Sequence, residues 1–223
     1  MKLLAIDTAF EACSVAVVGG DRSPVVASEV IGRGHAERLF GMVAAAMDEA
    51  GLTFDALDRI AVTVGPGSFT GLRVGIAAAR GLALAVGCPV VGVGALDAHA
   101  VKARNVAGAG PVTAVIDARR DEVYGQRFAA NGASLGPPVV GTAAFFAGQI
   151  ADGEVLAGSG ADAVLSALSG RLQAEIVHRD TAPDIRIVSE IAAAATPSNN
   201  APRPLYLRPP DARPSATVGV ARR

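Results

Sequence analysis

Aromatic and charged residues are scarce in this 223-residue sequence, which contains no tryptophan and only two tyrosines. Aromatic residues make up 4% and charged residues 18%, against roughly a quarter charged in an average globular domain. So few rings argue against a base-stacking platform. A net charge of −1 argues against a tight grip on nucleic acid along the whole chain. With so little charge to cover the surface, we expect some apolar surface to be left for a partner.

Catalytic and metal-binding patterns are missing as well. The three histidines, His35, His99 and His178, lie far apart, and none has a second histidine at helical spacing. This excludes a zinc site of the HExxH type, and the sequence has no Gly-x-Ser-x-Gly nucleophile elbow. We therefore expect no metal site and no catalytic residue. For His35, near a predicted helix start, we expect a capping or contact role.

Cysteine usage and the N-terminal residues point to the cytoplasm. Cys13 and Cys88 stand in apolar runs without a CxxC motif. Buried free thiols in a reducing compartment are therefore favoured over a disulfide. The N-terminal stretch is too short and too soon acidic for a signal peptide. Glycine or charge interrupts the apolar runs before they reach a membrane-spanning length. We expect a cytoplasmic protein with no membrane partner.

A glycine-rich turn separates a β-branched strand from a long apolar helix that we predict over residues 69–86. The turn comprises Gly65, Pro66, Gly67 and Ser68, with Ser68 as the predicted helix N-cap, and Gly71 follows in the first helical turn. A Walker A loop requires a lysine directly after its last glycine, and the dinucleotide fingerprint has one residue fewer between its last two glycines. A tight structural turn is therefore favoured over a phosphate-binding loop.

The predicted helix is unusually apolar. Its only charged residues, Arg73 and Arg80, are seven apart and therefore lie on one stripe. Gly71, Gly75 and Ala79 form a second stripe of small residues spaced by four, which permits the close approach of another backbone. A helix this apolar lies either inside its own fold or against another protein.

An internal repeat indicates two lobes. Ala5-Ile6-Asp7 and Val115-Ile116-Asp117 are 110 residues apart, and each is followed by a short turn and a returning strand. Strands that alternate with helical patterns indicate an α/β chain. The predicted boundaries are 1–104 for the first lobe, 105–200 for a reduced second lobe, and 201–223 for an extended tail rich in proline and arginine.

Two features leave alternatives open. Asp7 and Asp117 each follow a strand, so they could together hold magnesium and a nucleotide phosphate, or each could cap its own turn, which we favour. The tail could be a solvated basic segment, which we favour, or an extended arm that docks through Leu205, Tyr206 and Leu207.

Several motifs in this order resemble those of one family. They are the segment around Asp7 through Ala16, the turn and helix start from Gly65 to Ile76, the segment from Ile116 to Tyr124, and the late Pro204-Leu-Tyr-Leu-Arg208. Together they resemble the TsaB family, also called YeaZ. The glycine-turn block is highly specific, whereas residues 130–200 carry almost no motif.

The resemblance implies a fold and a role. The expected fold is an actin- and hexokinase-like (ribonuclease H-like) α/β fold of two lobes, with mixed sheets flanked by helices and a reduced second lobe. Family members support, without catalysing it, the formation of N6-threonylcarbamoyladenosine at position 37 of ANN-decoding tRNAs. The expected partners are a metal-binding TsaD-like paralogue and a TsaE-like P-loop ATPase. A homodimer is expected when the chain is alone, with tRNA contact indirect or through the tail.

The same resemblance, taken with the helix patterns, predicts the site residues. We expect no cofactor of the chain's own, with ATP or ADP at the complex interface as an open alternative and Asp7, Thr8 and Asp117 as nucleotide candidates. A nucleotide-dependent phosphotransferase on the actin-like fold is the alternative function, and a peptidase ranks last. The predicted partner interface consists of His35, Arg38, Leu39, Met42, Val43, Ala46, Leu72, Arg73, Gly75, Ile76, Ala79 and Arg80.

Overall fold

The structure is a computed structural model that describes residues 1–19, 23–198 and 200–208. The first half of the chain builds a five-stranded sheet with its helices. A short 3-10 turn at Phe54–Ala56 precedes the fourth strand. The elements are β1 (Leu3–Asp7), β2 (Ala12–Val18), β3 (Val25–Val30), α1 (His35–Ala50), β4 (Arg59–Gly65), α2 (Phe69–Val86), β5 (Val90–Gly94) and α3 (Ala95–Ala107).

The second half builds another five-stranded sheet from shorter elements, in agreement with the prediction of a reduced lobe. These elements are β6 (Val112–Asp117), β7 (Glu122–Phe128), β8 (Val139–Thr142), α4 (Ala143–Ala147), β9 (Val155–Ala157), α5 (Ala161–Leu168), β10 (Glu175–His178) and α6 (Ile185–Ala194).

Both sheets have the same strand order and the same directions. The first sheet runs β3-β2-β1-β4-β5 and the second runs β8-β7-β6-β9-β10. In the first sheet β1 pairs antiparallel with β2 and parallel with β4. In the second sheet β6 pairs antiparallel with β7 and parallel with β9. The predicted repeat is therefore confirmed, and the α/β fold of two mixed sheets flanked by helices is the actin-like, ribonuclease H-like arrangement.

Apolar residues on both faces of the first sheet account for its position in the core. Helices α1 and α2 cover one face, where Leu4, Ile6 and Val62 are buried. Helix α6 packs on the other face against β1, β2, β4 and β5, with Val188 buried beside Leu3. Although α6 falls within the range predicted for the second lobe, it contacts the first sheet. The division at residues 104 and 200 stays a prediction.

Helix α3 connects the two sheets. Its Ala98 belongs to the cluster under the first sheet, whereas Leu96 and Ala100 pack against Ile116 and Phe128 of the second sheet. The helix continues to Ala107 and ends at Gly108. The site described below lies on the first-sheet side, where α1, α2 and the C-terminal residues meet the solvent.

Candidate partner-binding face and interlobe strap

Most of the predicted interface residues lie inside the chain's own core. The apolar faces of α1 and α2 point toward the first sheet, where they cover Leu4, Ile6 and Val62. Each of these residues is almost fully buried within the chain and is therefore absent from its outer surface, and their part in a partner interface stays a prediction. The residues concerned are Leu39, Met42, Val43, Ala46, Leu72, Gly75, Ile76 and Ala79.

The small-residue stripe of α2 is also directed inward. It lies against Thr8, whose hydroxyl donates a hydrogen bond of 2.7 Å to the carbonyl of Gly71. Close backbone approach does occur along this stripe, but the approaching segment is the end of β1. Thr8 is buried, and its hydroxyl hydrogen is engaged in this contact.

The polar members of the predicted interface differ in their surroundings. Arg38 is exposed and donates two hydrogen bonds of 2.7 Å to the carboxylate of Glu29 on β3. Arg73 and Arg80 lie on the exposed side of α2. His35 begins α1 with a half-buried ring whose Nε2 has no partner among the described residues.

The outward sides of α1 and α2 form a different surface, which we call the α1/α2 face. It contains two large apolar side chains, Phe40 at 54% exposure and Leu84 at 86% exposure. Gly41 and Gly81 lie beside them, and a Cβ at either position would meet nothing within 4 Å. Small exposed residues complete the face: Ala44, Ala45, Ala77 and Ala85.

Helical spacing alone could have found part of this face. Ala77, Gly81 and Ala85 repeat at intervals of four, as do Gly71, Gly75 and Ala79. Glycine in the middle of a helix costs roughly 0.5–1 kcal/mol relative to alanine. Since nothing in the chain occupies the space above Gly81, its own fold gives no reason for a glycine there.

The glycine turn after β4 packs against the turn that follows β1. A Cβ on Gly67 would come within 2.6 Å of the Ala9 carbonyl, and the Ser68 amide donates to the same carbonyl at 2.7 Å. The hydroxyl of Ser68 accepts from the amide of Gly71, so the predicted N-cap is confirmed. Gly65 and Pro66 are buried in this turn. These contacts support the structural interpretation of the turn.

The two repeat-related aspartates cap their turns. Oδ1 of Asp7 accepts from the Ala9 amide at 3.0 Å, and Oδ1 of Asp117 accepts from the Arg119 amide at 2.8 Å. Their surroundings differ, since Asp7 is fully buried and Asp117 is exposed. Burial raises the pKa of Asp7 to about 6, although the backbone bond from Ala9 lowers it. Its Oδ2 has no partner among the described residues.

A side chain from the first lobe fills part of the space between the lobes. Phe10, in the turn after Asp7, packs against the core of the first sheet and also against the cluster that contains Ile116 and Phe128. A nucleotide bound between the lobes of the actin-like fold could contact Asp7 only if it entered this space. The nucleotide role of Asp7, Thr8 and Asp117 stays a prediction.

The C-terminal segment 202–208, which we call the strap, docks on both lobes. Pro202 is buried, and the Leu205 amide donates to the Val64 carbonyl at 2.8 Å. The Tyr206 ring lies 4.9 Å from that of Phe69 at the start of α2. The favoured prediction of a solvated tail is therefore wrong for these residues, and the docked arm is confirmed. The rest of the predicted tail, residues 209–223, lies outside the described residues.

Arg208 ends the strap at the second lobe. Its guanidinium donates to the Ala118 carbonyl at 2.9 Å and pairs with the carboxylate of Glu122. The turn that it holds, Arg119–Asp121, has three consecutive left-handed residues with φ of 61°, 57° and 59°. Left-handed backbone costs roughly 1–2 kcal/mol per residue outside glycine, so this turn needs support from its surroundings.

Three predictions of absence, which concern a metal site, a disulfide and a membrane-spanning segment, can be compared with the described residues. In residues 1–19, 23–198 and 200–208 no group of three histidine, cysteine, aspartate or glutamate residues is placed to hold a metal ion. Both cysteines are free thiols. By length and a mean hydropathy of 1.4, α2 could cross a membrane. Yet it carries Arg73 and Arg80, and one side of it packs on the first sheet.

Comparison with known proteins identifies relatives along the whole chain. A family model described as TsaD, tRNA N6-adenosine threonylcarbamoyltransferase, matches residues 24–174. An uncharacterized protein of Mycobacterium tuberculosis is 38% identical over 96% of this chain and 95% of its own length. The tRNA threonylcarbamoyladenosine biosynthesis protein TsaB of Escherichia coli is 44% identical over 124 residues, 56% of this chain and 53% of that protein.

A solved structure agrees with these relatives. YeaZ from Pseudomonas aeruginosa superposes with a TM-score of 0.75 at 35% sequence identity, covering 92% of this chain and 99% of that chain. The agreement extends over both sheets, including residues 130–200, where the sequence offers almost no motif. The chain belongs to the TsaB (YeaZ) family of tRNA threonylcarbamoyladenosine biosynthesis proteins.

Proposed function

We propose that the chain is a non-catalytic scaffold subunit of the complex that forms N6-threonylcarbamoyladenosine at position 37 of ANN-decoding tRNAs. Its role is to bind and support a TsaD-like catalytic subunit together with a TsaE-like ATPase in the cytoplasm. Family membership supports the pathway, and the match to the TsaD family model supports a related chain as the partner. Related chains with the same helix pair can bind each other through equivalent surfaces.

The α1/α2 face is the observation that carries the proposal. Phe40 and Leu84 expose large apolar side chains on adjacent helices, and Gly41 and Gly81 leave open space between them. Small residues let a partner helix approach closely, and large apolar side chains then fill pockets on the partner. An exposed apolar face of this kind marks an interaction site, and the low charge content of the chain leaves such surface uncovered until a partner binds.

Opposite charges flank the same face. Glu37 and Asp48 are exposed on α1, whereas Arg73 and Arg80 are exposed on α2. In a symmetric pair, each helix can meet the oppositely charged helix of its neighbour, because an isologous interface places one patch against the same patch. This arrangement supports a homodimer when the catalytic partner is absent.

A non-catalytic role also agrees with the buried groups between the lobes. Asp7 is fully enclosed, and Phe10 fills space between the two sheets. A phosphotransferase would need an accessible carboxylate there to bind magnesium. We therefore propose that the chain has no cofactor of its own and that any ATP or ADP binds at the interface of the complex.

The proposal is tested by mixing the purified chain with its TsaD-like subunit and measuring complex formation by size-exclusion chromatography and calorimetry. Phe40→Asp and Leu84→Asp, singly and together, are expected to weaken binding at least tenfold, because a charge is placed in an apolar contact. Val106→Asp on α3 is the matched control, since Val106 is also apolar and 69% exposed.

Thermal unfolding of the same variants separates binding from folding. Phe40 and Leu84 are exposed within a single chain. At a protein concentration low enough for the chain to be monomeric, their replacement should therefore leave its stability within about 0.5 kcal/mol of the original. Absence of any complex with the unmodified chain, in every nucleotide state, would contradict the proposal. So would equal weakening of the complex by Val106→Asp.

A further inference from the structure

A second exposed apolar surface lies on the other lobe, at the edge of the second sheet. We call it the β8 groove and define it by Leu135, Val139 and Phe145, which line a cavity of about 180 Å³. Leu135 is 57% exposed, Phe145 is 52% exposed and Val139 is 38% exposed. Soluble domains bury most side chains of these types. Their arrangement around one cavity therefore marks a contact surface.

The packing of α4 on β7 and β8 keeps this groove open. Gly125 of β7 is paired with Val139 of β8, and a Cβ at Gly125 would overlap the ring of Phe146. Phe146 is therefore buried against the sheet. The ring of Phe145 meets that of Phe146 edge-on, with centroids 5.1 Å apart, and stays at the surface. The fold thus buries one of two neighbouring rings and leaves the other at the rim of the cavity.

The backbone beside the groove is an unprotected sheet edge. Within the described residues, β8 pairs with β7 alone and ends the second sheet. An edge strand exposes N–H and C=O groups that can pair with another segment, and charged side chains or a covering segment usually prevent this. The edge strands β3 and β10 carry Glu29 and Glu175, and Pro202 of the strap lies over Gly92 of the edge strand β5. In contrast, β8 has no charged residue.

The charge of the groove matches one segment of the chain's own sequence. Arg127 is the charged residue among the described residues that line the cavity, and it pairs with Glu154 at 2.9 Å. Residues 215–221, Ser-Ala-Thr-Val-Gly-Val-Ala, carry no charge either. Their β-branched residues favour an extended strand. In a strand, Val218 and Val220 would lie on the same face, because side chains alternate with a period of two.

The strap ends close to the groove. Arg208 pairs with Glu122, and Glu122 is paired in the β7–β8 ladder with Thr142, the last residue of β8. Val218 follows Arg208 by ten positions, and an extended chain of that length reaches about 33 Å. A strand of four residues is only about 14 Å long. Residues 216–221 can therefore reach the whole free edge of β8.

We propose that residues 216–221 of the same chain add to β8 as an antiparallel edge strand, with Val218 and Val220 in the β8 groove. A segment that starts beside Thr142 and runs toward Val139 is antiparallel to β8. In strand addition, backbone hydrogen bonds give affinity and alternate side chains give specificity. Tethering favours this segment over a second copy or another protein, because it provides an effective concentration on the order of millimolar. The inference does not depend on the proposed function.

Amide hydrogen exchange of β8 in the full-length chain tests the proposal. Val218→Asp combined with Val220→Asp is expected to speed exchange of the outward-facing β8 amides about tenfold or more, because these amides are protected only while the segment is paired. Thr217→Asp combined with Ala221→Asp is the matched control, since it adds the same two charges on the other face of the segment. It should change exchange less than about twofold. Exchange in β2 should stay constant in both variants, which separates loss of docking from global unfolding.

Because the sequence contains no tryptophan, fluorescence gives a second readout. The Val220→Trp chain should show blue-shifted emission and be quenched by acrylamide about threefold less than a peptide of residues 209–223 with the same substitution, because docking removes the ring from water. Adding Leu135→Asp, in the groove, should abolish this difference. Adding Val106→Asp, on the exposed side of α3, should preserve it. Emission equal to that of the free peptide would overturn the proposal, as would equal β8 exchange in the two double variants.

Other occupants of the groove would give different results. Protection of β8 that increases with protein concentration would assign the groove to a second copy and overturn docking within one chain. Protection that appears only after a TsaD-like subunit is added would assign the groove to that subunit and overturn the proposal as well. The expected result is protection in the lone chain at every concentration, lost when Val218 and Val220 are replaced together.

Discussion

A Cβ atom on Gly75 would lie 2.5 Å from the hydroxyl oxygen of Thr8. The same hydroxyl donates to the Gly71 carbonyl, so α2 is fixed against the end of β1 by one polar contact and one missing side chain. Gly81, less than two turns further along the helix, has open space above it. Two glycines of one helix thus serve opposite sides, one toward the core and one toward solvent.

Replacement of these glycines by alanine should therefore have opposite effects. We expect Gly75→Ala to lower the free energy of unfolding by about 1–3 kcal/mol, because the new methyl group overpacks the contact with Thr8. Gly81→Ala should raise it by about 0.5–1 kcal/mol, since alanine favours the helix and meets nothing. Urea unfolding of both variants measures the difference. Equal stability of the two would show that Gly75 does not face the core.

The sequence contained enough information for the bounds of α2 but not for its orientation. A β-branched strand, a glycine turn and the Ser68 cap predict a helix over residues 69–86, as found. Its two small stripes have the same spacing, so periodicity alone cannot tell which one is buried. The arginines could have decided it: at 100° per residue, Arg73 and Arg80 lie on the side of the helix opposite to Gly75.

Other parts of the structure depend on contacts that local sequence does not encode. The docking of Tyr206 on Phe69 and of Arg208 on Glu122 joins residues far apart in sequence. Three successive elements between residues 139 and 157 give little periodic signal, because each is only three to five residues long. The repeat of Asp7 and Asp117 was visible, yet their opposite burial was not.

The enclosed carboxyl of Asp7 should make stability depend on pH. Burial raises its pKa to about 6 from 3.8. Between these values folding takes up a proton, so this group's contribution to the free energy of unfolding falls as the pH rises from about 4 to 6 and stays lower above. Asp7→Asn removes this cost, and we expect it to stabilise the chain by about 1–3 kcal/mol at pH 7–8.

Asp117→Asn is the matched control for this change, because Asp117 has the equivalent turn bond in the second lobe but is exposed. It should shift stability by less than about 0.5 kcal/mol at any pH. Urea unfolding of the two variants and the original chain from pH 4 to 8 gives the comparison. A destabilised Asp7→Asn at pH 8 would mean that the ionised carboxylate is needed in the fold.

The histidine pair between α3 and β10 should act in the opposite direction. The rings of His99 and His178 stack with centroids 5.2 Å apart, and Nε2 of His178 contacts the His99 carbonyl at 3.2 Å. Burial, followed by the charge of His178, lowers the pKa of His99 to about 4. Asp180 and Lys102 are the other charged groups that act on this ring, and they oppose each other.

Because the unfolded chain binds a proton on His99 at a higher pH than the folded chain does, stability from this group is complete above about 6.5. It is lost as the pH falls from there to about 4. We expect His99→Gln to flatten that part of the pH profile by about 1–3 kcal/mol. His35→Gln, at the start of α1, is the control. An unchanged profile for His99→Gln would show that the stacked pair does not resist protonation.

Removal of the Arg208 side chain should loosen the connection between the lobes. Arg208→Ala deletes the bonds to the Ala118 carbonyl and to Glu122, which hold the left-handed turn at Arg119–Asp121. We expect the free energy of unfolding to fall by about 1–2 kcal/mol, because bonds to a charged group are lost. Amide hydrogen exchange in the β6–β7 turn should become faster, since strained backbone relaxes once its support is removed.

Arg203→Ala is the matched control, because Arg203 belongs to the same strap and no contact within the described residues depends on its guanidinium. It should therefore leave exchange in that turn unchanged, whereas faster exchange in both variants would mean that loss of positive charge, rather than loss of the clasp, loosens the turn.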